Sequence, residues 1–500
     1  MNKTALTKTY TKDIQNSCLN SKKIVLSLAA ISFSASCTHA TLTPEIETYE
    51  EANRHAKARS GISSKSSNNN KTISSLQNST QTVSNTGNTL VIESGGTITI
   101  SNGGQQAVNF QPNSSTSTFL NQGTLIGGNN TASVQLGGAN NNNGATIETF
   151  DNQGIIGNGS SKFGVTVWGT NSSKSTINNF SNSGTIYSNT GESIYFGNAN
   201  ISSFANSGTI KSKQRAGVNI SQGTSIGNFN NSGTIEGKKD GIQINTNANV
   251  KTLINKGTIK GDGISIRLNG TIESLINEGI MDGKSTGIYM NKGFVKTLTN
   301  SGTINQNNSV TWAAGIKLEH GSTIENIINT GSIRSNAFGI SVTGGKFGTL
   351  TIKDGGQVYG KYSAIGVGRS QTLGDLYIDG RSNNGTVSGI YSEENGIALD
   401  ANSQTQKIEL KNGGIIKGKI HGIRLDNGAS LSGEMILSGE GSRVEGGSGA
   451  GILNRSGKIT GSITIKDGAT VTATSNQAIA NYLSGSITGG ITVSGKNTKL

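Results

Sequence analysis

The sequence predicts an all-β protein, a parallel β-helix (solenoid) of about fifteen three-strand rungs. Three observations predict it. A short Asn signature recurs along the chain, a Gly-Ile signature is interleaved with it, and the composition suits short strands joined by tight turns. Of 500 residues, 72 are Gly, 58 are Asn and only 2 are Pro. A Gly/Asn-rich chain could be disordered, but disordered chains are usually rich in Pro and charge and poor in β-branched residues. Here charged residues are 14% and aromatics 5%, while Ile, Thr and Val recur in register. That balance also argues against a set of compact helical domains.

The first signature is apolar-x-Asn-x-Gly followed by Thr or Ile and then an apolar residue. It begins at Leu120-Asn121-Gln122-Gly123 and continues as Phe150-x-Asn152, Phe180-x-Asn182, Phe204-x-Asn206 and Phe229-x-Asn231. Leu253-x-Asn255, Leu275-x-Asn277, Leu298-x-Asn300 and Ile327-x-Asn329 complete it, at intervals of 22 to 31 residues. Self-similarity at this period indicates a repeat architecture. The second signature is Gly-Ile-x-Ile, as in Gly241-Ile242-Gln243-Ile244, Gly263-Ile264-Ser265-Ile266 and Gly339-Ile340-Ser341-Val342. After the Asn signature fades, a third pattern takes over, with Leu350-Thr351-Ile352, Met435-Ile436-Leu437 and Ile463-Thr464-Ile465.

In the repeat opening at Gly241, these signatures predict strands over Ile242–Asn245, Val250–Ile254 and Gly257–Lys260. Period-two alternation puts Ile242 and Ile244 on one face and Gln243 on the other. One such unit cannot bury its apolar face alone. Stacking units about 4.8 Å apart pairs every strand above and below and closes a core. The repeated Asn residues (Asn182, Asn206, Asn231, Asn255, Asn277, Asn300 and Asn329 among them) are expected at turns. There an amide can bond its neighbours in a ladder and tolerate left-handed geometry. The repeated Gly is expected to supply positive φ. The array reaches Leu500 without a capping segment, so the sequence reads as a fragment, or as a chain whose C-terminal part is lost.

The N-terminus reads as an export signal over residues 1–40. Lys22-Lys23 precede about thirteen mostly apolar residues, Ile24 to Ser36, which fits a basic n-region and an h-region. The run is too short for a spanning helix, which needs about 20 residues. Two processing outcomes stay open. Thr38-His39-Ala40 suits ordinary cleavage after Ala40. Ser34-Ala35-Ser36-Cys37 resembles a lipobox, which would make Cys37 the acylated first residue. The remaining cysteine, Cys18, lies in the leader, so no internal disulfide is expected. Thr43-Pro44-Glu45 predicts a helix over residues 41–60, with Thr43 as N-cap, Pro44 at its first position and Gly61 as terminator. Residues 61–88 read as a Ser/Asn-rich spacer, and 89–500 as the β-helix.

The formal charge is +13, but the basic residues are scattered without runs or Arg-aromatic clusters. No nucleic-acid partner is expected; weak attraction to anionic surface glycans or lipids is the milder reading.

The Lys-Lys-led signal, the near-lipobox at Cys37 and the Asn-Ser-Gly-Thr-Ile rungs together resemble the passenger of a type V autotransporter. Among these, the chain is most similar to the CapA-type Campylobacter autotransporter adhesin lipoproteins. The resemblance implies export to the outer membrane and cell surface of a Gram-negative bacterium, as a virulence-associated adhesin. It implies attachment to a host cell-surface or matrix component, protein or glycan. The family's C-terminal translocator barrel is not present in these 500 residues.

The alternative is a polysaccharide-active β-helix lyase or hydrolase, or a non-binding stalk. Asp240 and Asp262 precede consecutive Gly-Ile strands and could stack as paired carboxylates, with Asp282 nearby. Each adjoins Gly, however, and a turn role is preferred. His55, His320 and His421 lack ligand spacing, so neither metal nor cofactor is expected. No serine-nucleophile motif is read, and no enzyme is expected. Trp168, Trp312, Tyr195 and Tyr289 are candidates for a binding stripe, against a plainer role as stacked filler.

Overall fold

The computed structural model describes Asn70 to Leu500, apart from Asn85, residues 139–142 and 158–160, Ser309, and Asn383 and Asn384. The signal, Cys37, Ala40, His55 and the expected helix over 41–60 lie outside the described residues. The chain divides into two units, Met1–Ser66 and Ser67–Leu500. The second is a parallel β-solenoid of three sheets, two of 16 strands and one of 21. Its strands are in parallel pairs throughout, each residue stacked on the equivalent residue of the next rung.

One complete rung shows the logic. Asp240–Ile244, Asn249–Asn255 and Thr258–Gly261 are its three strands, within two residues of those predicted from alternation. They belong in turn to a Gly-Ile sheet, an Asn sheet and a turn sheet. Ile242, Ile244, Val250, Leu253 and Ile259 are fully buried. A single hydrophobic cluster of such residues runs from Ile73 to Val471. In the Asn sheet, Phe119, Phe150, Phe180, Phe204 and Phe229 stack rung on rung, with centroids 4.2 to 4.9 Å apart. Leu253, Leu275 and Leu298 continue the same column.

The solenoid begins earlier than its hydrophobic pattern. Residues 71–88, expected as spacer, form strands Lys71–Ile73, Leu76–Gln77 and Gln81–Val83 and open Thr86–Ile92. Lys71, Thr72 and Ile73 pair with Leu90, Val91 and Ile92 of the next turn. This first turn buries only Ile73 and Val83 as hydrophobics. Two such residues among Ser, Thr and Asn are too sparse to register as a periodic pattern. Fifteen of the sixteen Gly-Ile strands follow Ala107, as counted from the repeats.

The Asn ladder is present, but in a different backbone state from that expected. Asn121, Asn152, Asn182, Asn206, Asn231, Asn255, Asn277, Asn300 and Asn329 each end a strand, are at most 2% exposed, and are absent from the positive-φ residues. From Asn121 to Asn300, each Nδ2 donates to the Oδ1 of the following Asn at 2.6 to 2.9 Å. The paired Gly residues also differ from expectation. Gly154, Gly184, Gly208, Gly233 and Gly257 have ordinary φ, and a Cβ at any of them would collide with the carbonyl oxygen of the Gly one rung earlier. Close backbone approach, rather than left-handed geometry, requires glycine there.

Past Asn329 the corner changes type. Ile352 takes the ladder position, and the turn becomes a pair of left-handed residues. Asp354-Gly355 has φ of 54° and 86°, Asn412-Gly413 of 53° and 89°. Two consecutive positive φ values define a type I′ turn, which explains its Asx-Gly sequence. The Asn-sheet strand is then split, first at Gln404–Thr405 and Ile408–Lys411. One residue more lies between Leu431 and Met435 than between Thr405 and Ile408, a local bulge.

Candidate functional site

The outward face of the Gly-Ile sheet carries the most varied chemistry of the solenoid. Its central outward column runs Tyr195, Asn219, Gln243, Arg267, Tyr289, Lys317, Ser341, Gly366, Ala398 and Arg424. Bulky polar residues give way to three small ones and then to Arg424. The drop in side-chain volume at one register position hollows a groove of about 270 Å³ across these rungs.

The bulky half is tied together by charge. Asp240 is fully buried and accepts two hydrogen bonds from Arg267, Nε to Oδ2 at 2.9 Å and Nη2 to Oδ1 at 3.2 Å. The Arg267 guanidinium lies 5.2 Å from the Tyr289 ring centroid. The Tyr289 hydroxyl donates to Glu319 at 2.7 Å. Burial, reinforced by the Glu319 carboxylate, pushes the Tyr289 pKa up to about 12. Glu319 also pairs with Lys317 Nζ at 2.7 Å. Burial works to raise the Glu319 pKa, but hydrogen bonds from Lys317 and Tyr289 outweigh it and hold the group below the usual glutamate range. Lys317 in turn lies over Trp312, which is 56% exposed.

The groove follows. Ser341, Gly366 and Ala398 form its floor. Phe338 and Tyr362, 6.1 Å apart, stand along one side with Ser363 and Asn395. Thr343, Gly368 and Asp400 border the other. At the far end Arg424 pairs with Asp426 at 2.8 Å and approaches Asp400 at 3.7 Å. Asn395 is only 4% exposed, and its Oδ1 has no hydrogen-bond partner. One rung beyond Asn395 stands His421, whose Nδ1 accepts the Ala450 N–H at 2.9 Å. Burial holds this imidazole below the ordinary histidine pKa.

Asp240 and Asp262 are not brought together as a pair, and the reason is register. The Gly-Ile signature invites alignment of Gly241 with Gly263, but Ile242 stacks on Ile266 and Asp240 on Ile264. The repeat is offset by two residues, and Ser265 takes the place of glycine, its Oγ donating to the Ile259 carbonyl at 2.8 Å. Asp262 therefore sits at a different corner, between Lys238 at 2.6 Å and Lys284 at 3.0 Å. Hydrogen bonds from Lys238 and Lys284 hold its carboxyl below the usual aspartate range. Asp282 lies on the turn sheet, in register with Lys260. Asp240 also departs from the expected turn role, since it opens a strand.

The aromatic candidates divide into two groups rather than one stripe. Trp168 packs on Tyr195 at 4.4 Å, and both are half-buried. Tyr289 and Trp312 belong to the groove end. Among the described residues, no three His, Cys, Asp or Glu side chains are placed to share a metal ion. Contrary to the motif reading, Gly-x-Ser-x-Gly occurs twice, around Ser225 and Ser285. A nucleophile elbow needs a strand-to-helix turn. Here Ser225 opens a strand, and the Ser285 Oγ donates to the Gly263 carbonyl at 2.7 Å. The groove itself escaped the sequence reading. Its signal was available in the outward residue of each Gly-Ile strand, once the strands are correctly registered.

Comparison with protein-family models, curated proteins and solved structures finds no match.

Proposed function

We propose that the chain is a non-enzymatic surface adhesin, the passenger of an autotransporter, exported by its N-terminal signal and held at the outer membrane by a lipid on Cys37 or by a translocator barrel. The observation that carries the reading is the solenoid itself, whose outward column on the Gly-Ile sheet carries a polar or aromatic side chain at each rung from Tyr195 to Lys317. Many weak contacts on such an array add through multivalency. Asp240 and Asp262, the candidate acid and base of the enzymatic alternative, are each held by separate cations, which favours binding over hydrolysis. The test is saturable attachment of the purified full chain to epithelial cells or to immobilised matrix proteins. Attachment to either supports the reading, and its absence from both overturns it.

A further inference from the structure

We infer that the groove on the Gly-Ile sheet, between Trp312 and Arg424, is a binding site for an uncharged oligosaccharide chain lying along the solenoid axis. The inference rests on the reading of this chain as a binding protein and names the ligand that one face would take.

The floor runs over successive rungs about 4.8 Å apart, a step close to the length of one pyranose unit. An elongated chain of linked sugars can therefore meet equivalent positions in turn. Ser341, Gly366 and Ala398 leave room for it, where Lys317 and Arg424 close the ends. Trp312, Phe338 and Tyr362 supply ring faces, whose negative quadrupole attracts the weakly positive C–H bonds of a sugar ring. Between them lie donors and acceptors suited to hydroxyl groups. Asn395 is the most telling of these, since a buried polar atom without a partner is uncommon in a native protein, and its Oδ1 is one.

Charge selects within the glycans. Both cations of the groove are already paired: Lys317 with Glu319 at 2.7 Å, and Arg424 with Asp426 at 2.8 Å. Asp400 and Glu394 add negative charge to the lining. An acidic glycan would have to displace a carboxylate and face two others. An extended peptide is disfavoured for a different reason. Strands Phe338–Val342, Ser363–Val367 and Asn395–Leu399 are each paired on both sides. No backbone edge is left for strand addition.

The test uses the full chain carrying Trp168→Phe, which leaves Trp312 as the single tryptophan reporter. The probes are neutral hexose and N-acetylhexosamine oligomers of about four units, matched to the rung spacing. Heparin and polysialic acid serve as acidic counterparts, and a library of extended peptides as the protein counterpart. Binding is expected for at least one neutral oligomer, with a change in Trp312 emission. Ala398→Gln, which fills the floor, and Asn395→Ala, which removes the unpartnered oxygen, should each weaken it about tenfold or more. Rung integrity is checked by the far-ultraviolet circular dichroism of each variant. Tyr187→Ala, on the turn sheet away from the groove, should leave binding unchanged. Absence of neutral-oligomer binding overturns the inference. So does tighter binding of the acidic glycans or the peptides, or neutral binding that folded Ala398→Gln leaves intact. The two proposals fail separately. Cell attachment without oligosaccharide binding removes only the groove assignment, and oligosaccharide binding without cell attachment removes only the adhesin.

Discussion

Asparagine and glycine do different work at the same corner. Within the ladder, from Asn152 to Asn300, each Asn Nδ2 has three acceptors in reach: the carbonyl of its own Gly, the next Asn Oδ1 and a carbonyl of the next rung. For Asn255 these are Gly257, Asn277 and Ile280, at 3.2, 2.9 and 3.1 Å. Removing a central member leaves a buried Oδ1 on Asn277 without its donor, at a cost of about 1–3 kcal/mol. Asn255→Ala should therefore lower the urea midpoint more than Asn121→Ala, because Asn121 Oδ1 already lacks a donor. Equal midpoints would show that the ladder is not an energetic unit. The presence of such a ladder was legible in the repeat, since only a short side chain with both donor and acceptor serves it. Its backbone state was not legible. Asn and Gly favour both left-handed turns and close-packed corners, and residue type alone cannot separate the two.

At the scale of the strand, register decides function. The offset of two residues at Ser265 brings Arg267, rather than Ser265, onto the outward column and beside Asp240. The resulting ion pair has one fully buried partner and one whose side chain is 25% exposed. Truncating the cation would strand a carboxylate in the interior, at a cost of about 3–5 kcal/mol. Arg267→Met should thus destabilise the solenoid severely, whereas Asp240→Leu combined with Arg267→Met should recover most of the loss. Denaturation of the two variants, with circular dichroism as the readout, checks this. A double variant no more stable than the single one would show that the pair is not the source of the loss. Strand positions were predictable because alternation survives local errors. The pairing of Asp240 was hidden, because a motif-based alignment moves every outward residue of that strand to the wrong neighbour.

Across the whole solenoid, stability is a sum over neighbouring rungs. Strands Ser175–Asn182 to Ser322–Asn329 of the Asn sheet are paired on both sides around fully buried Phe and Leu residues. By contrast, all four residues of Ile491–Ser494 are exposed, with Ile491 at 41% and Val493 at 44%. Amide hydrogen exchange of the full chain should accordingly be slowest in the central Asn-ladder rungs and fastest beyond Ile479. Uniform protection along the array would overturn the additive picture. The repeated architecture was readable because it is written many times over. The first turn was not, because it occurs once and carries few apolar residues.

The hydrogen bonds of the Asn ladder all point one way, from each rung's Nδ2 to the Oδ1 of the rung after it. A rung in place therefore offers amide protons, and its successor has only to supply a carbonyl oxygen. The last ladder member, Asn329, donates to the Gln357 and Gly331 carbonyls instead, so the sequence of donors closes without a free end. The column is a template with a direction, running from the N-terminal rungs toward the C-terminal ones. Growth from the N-terminal side meets a ready donor at each step, which makes the solenoid a structure suited to being laid down one turn at a time.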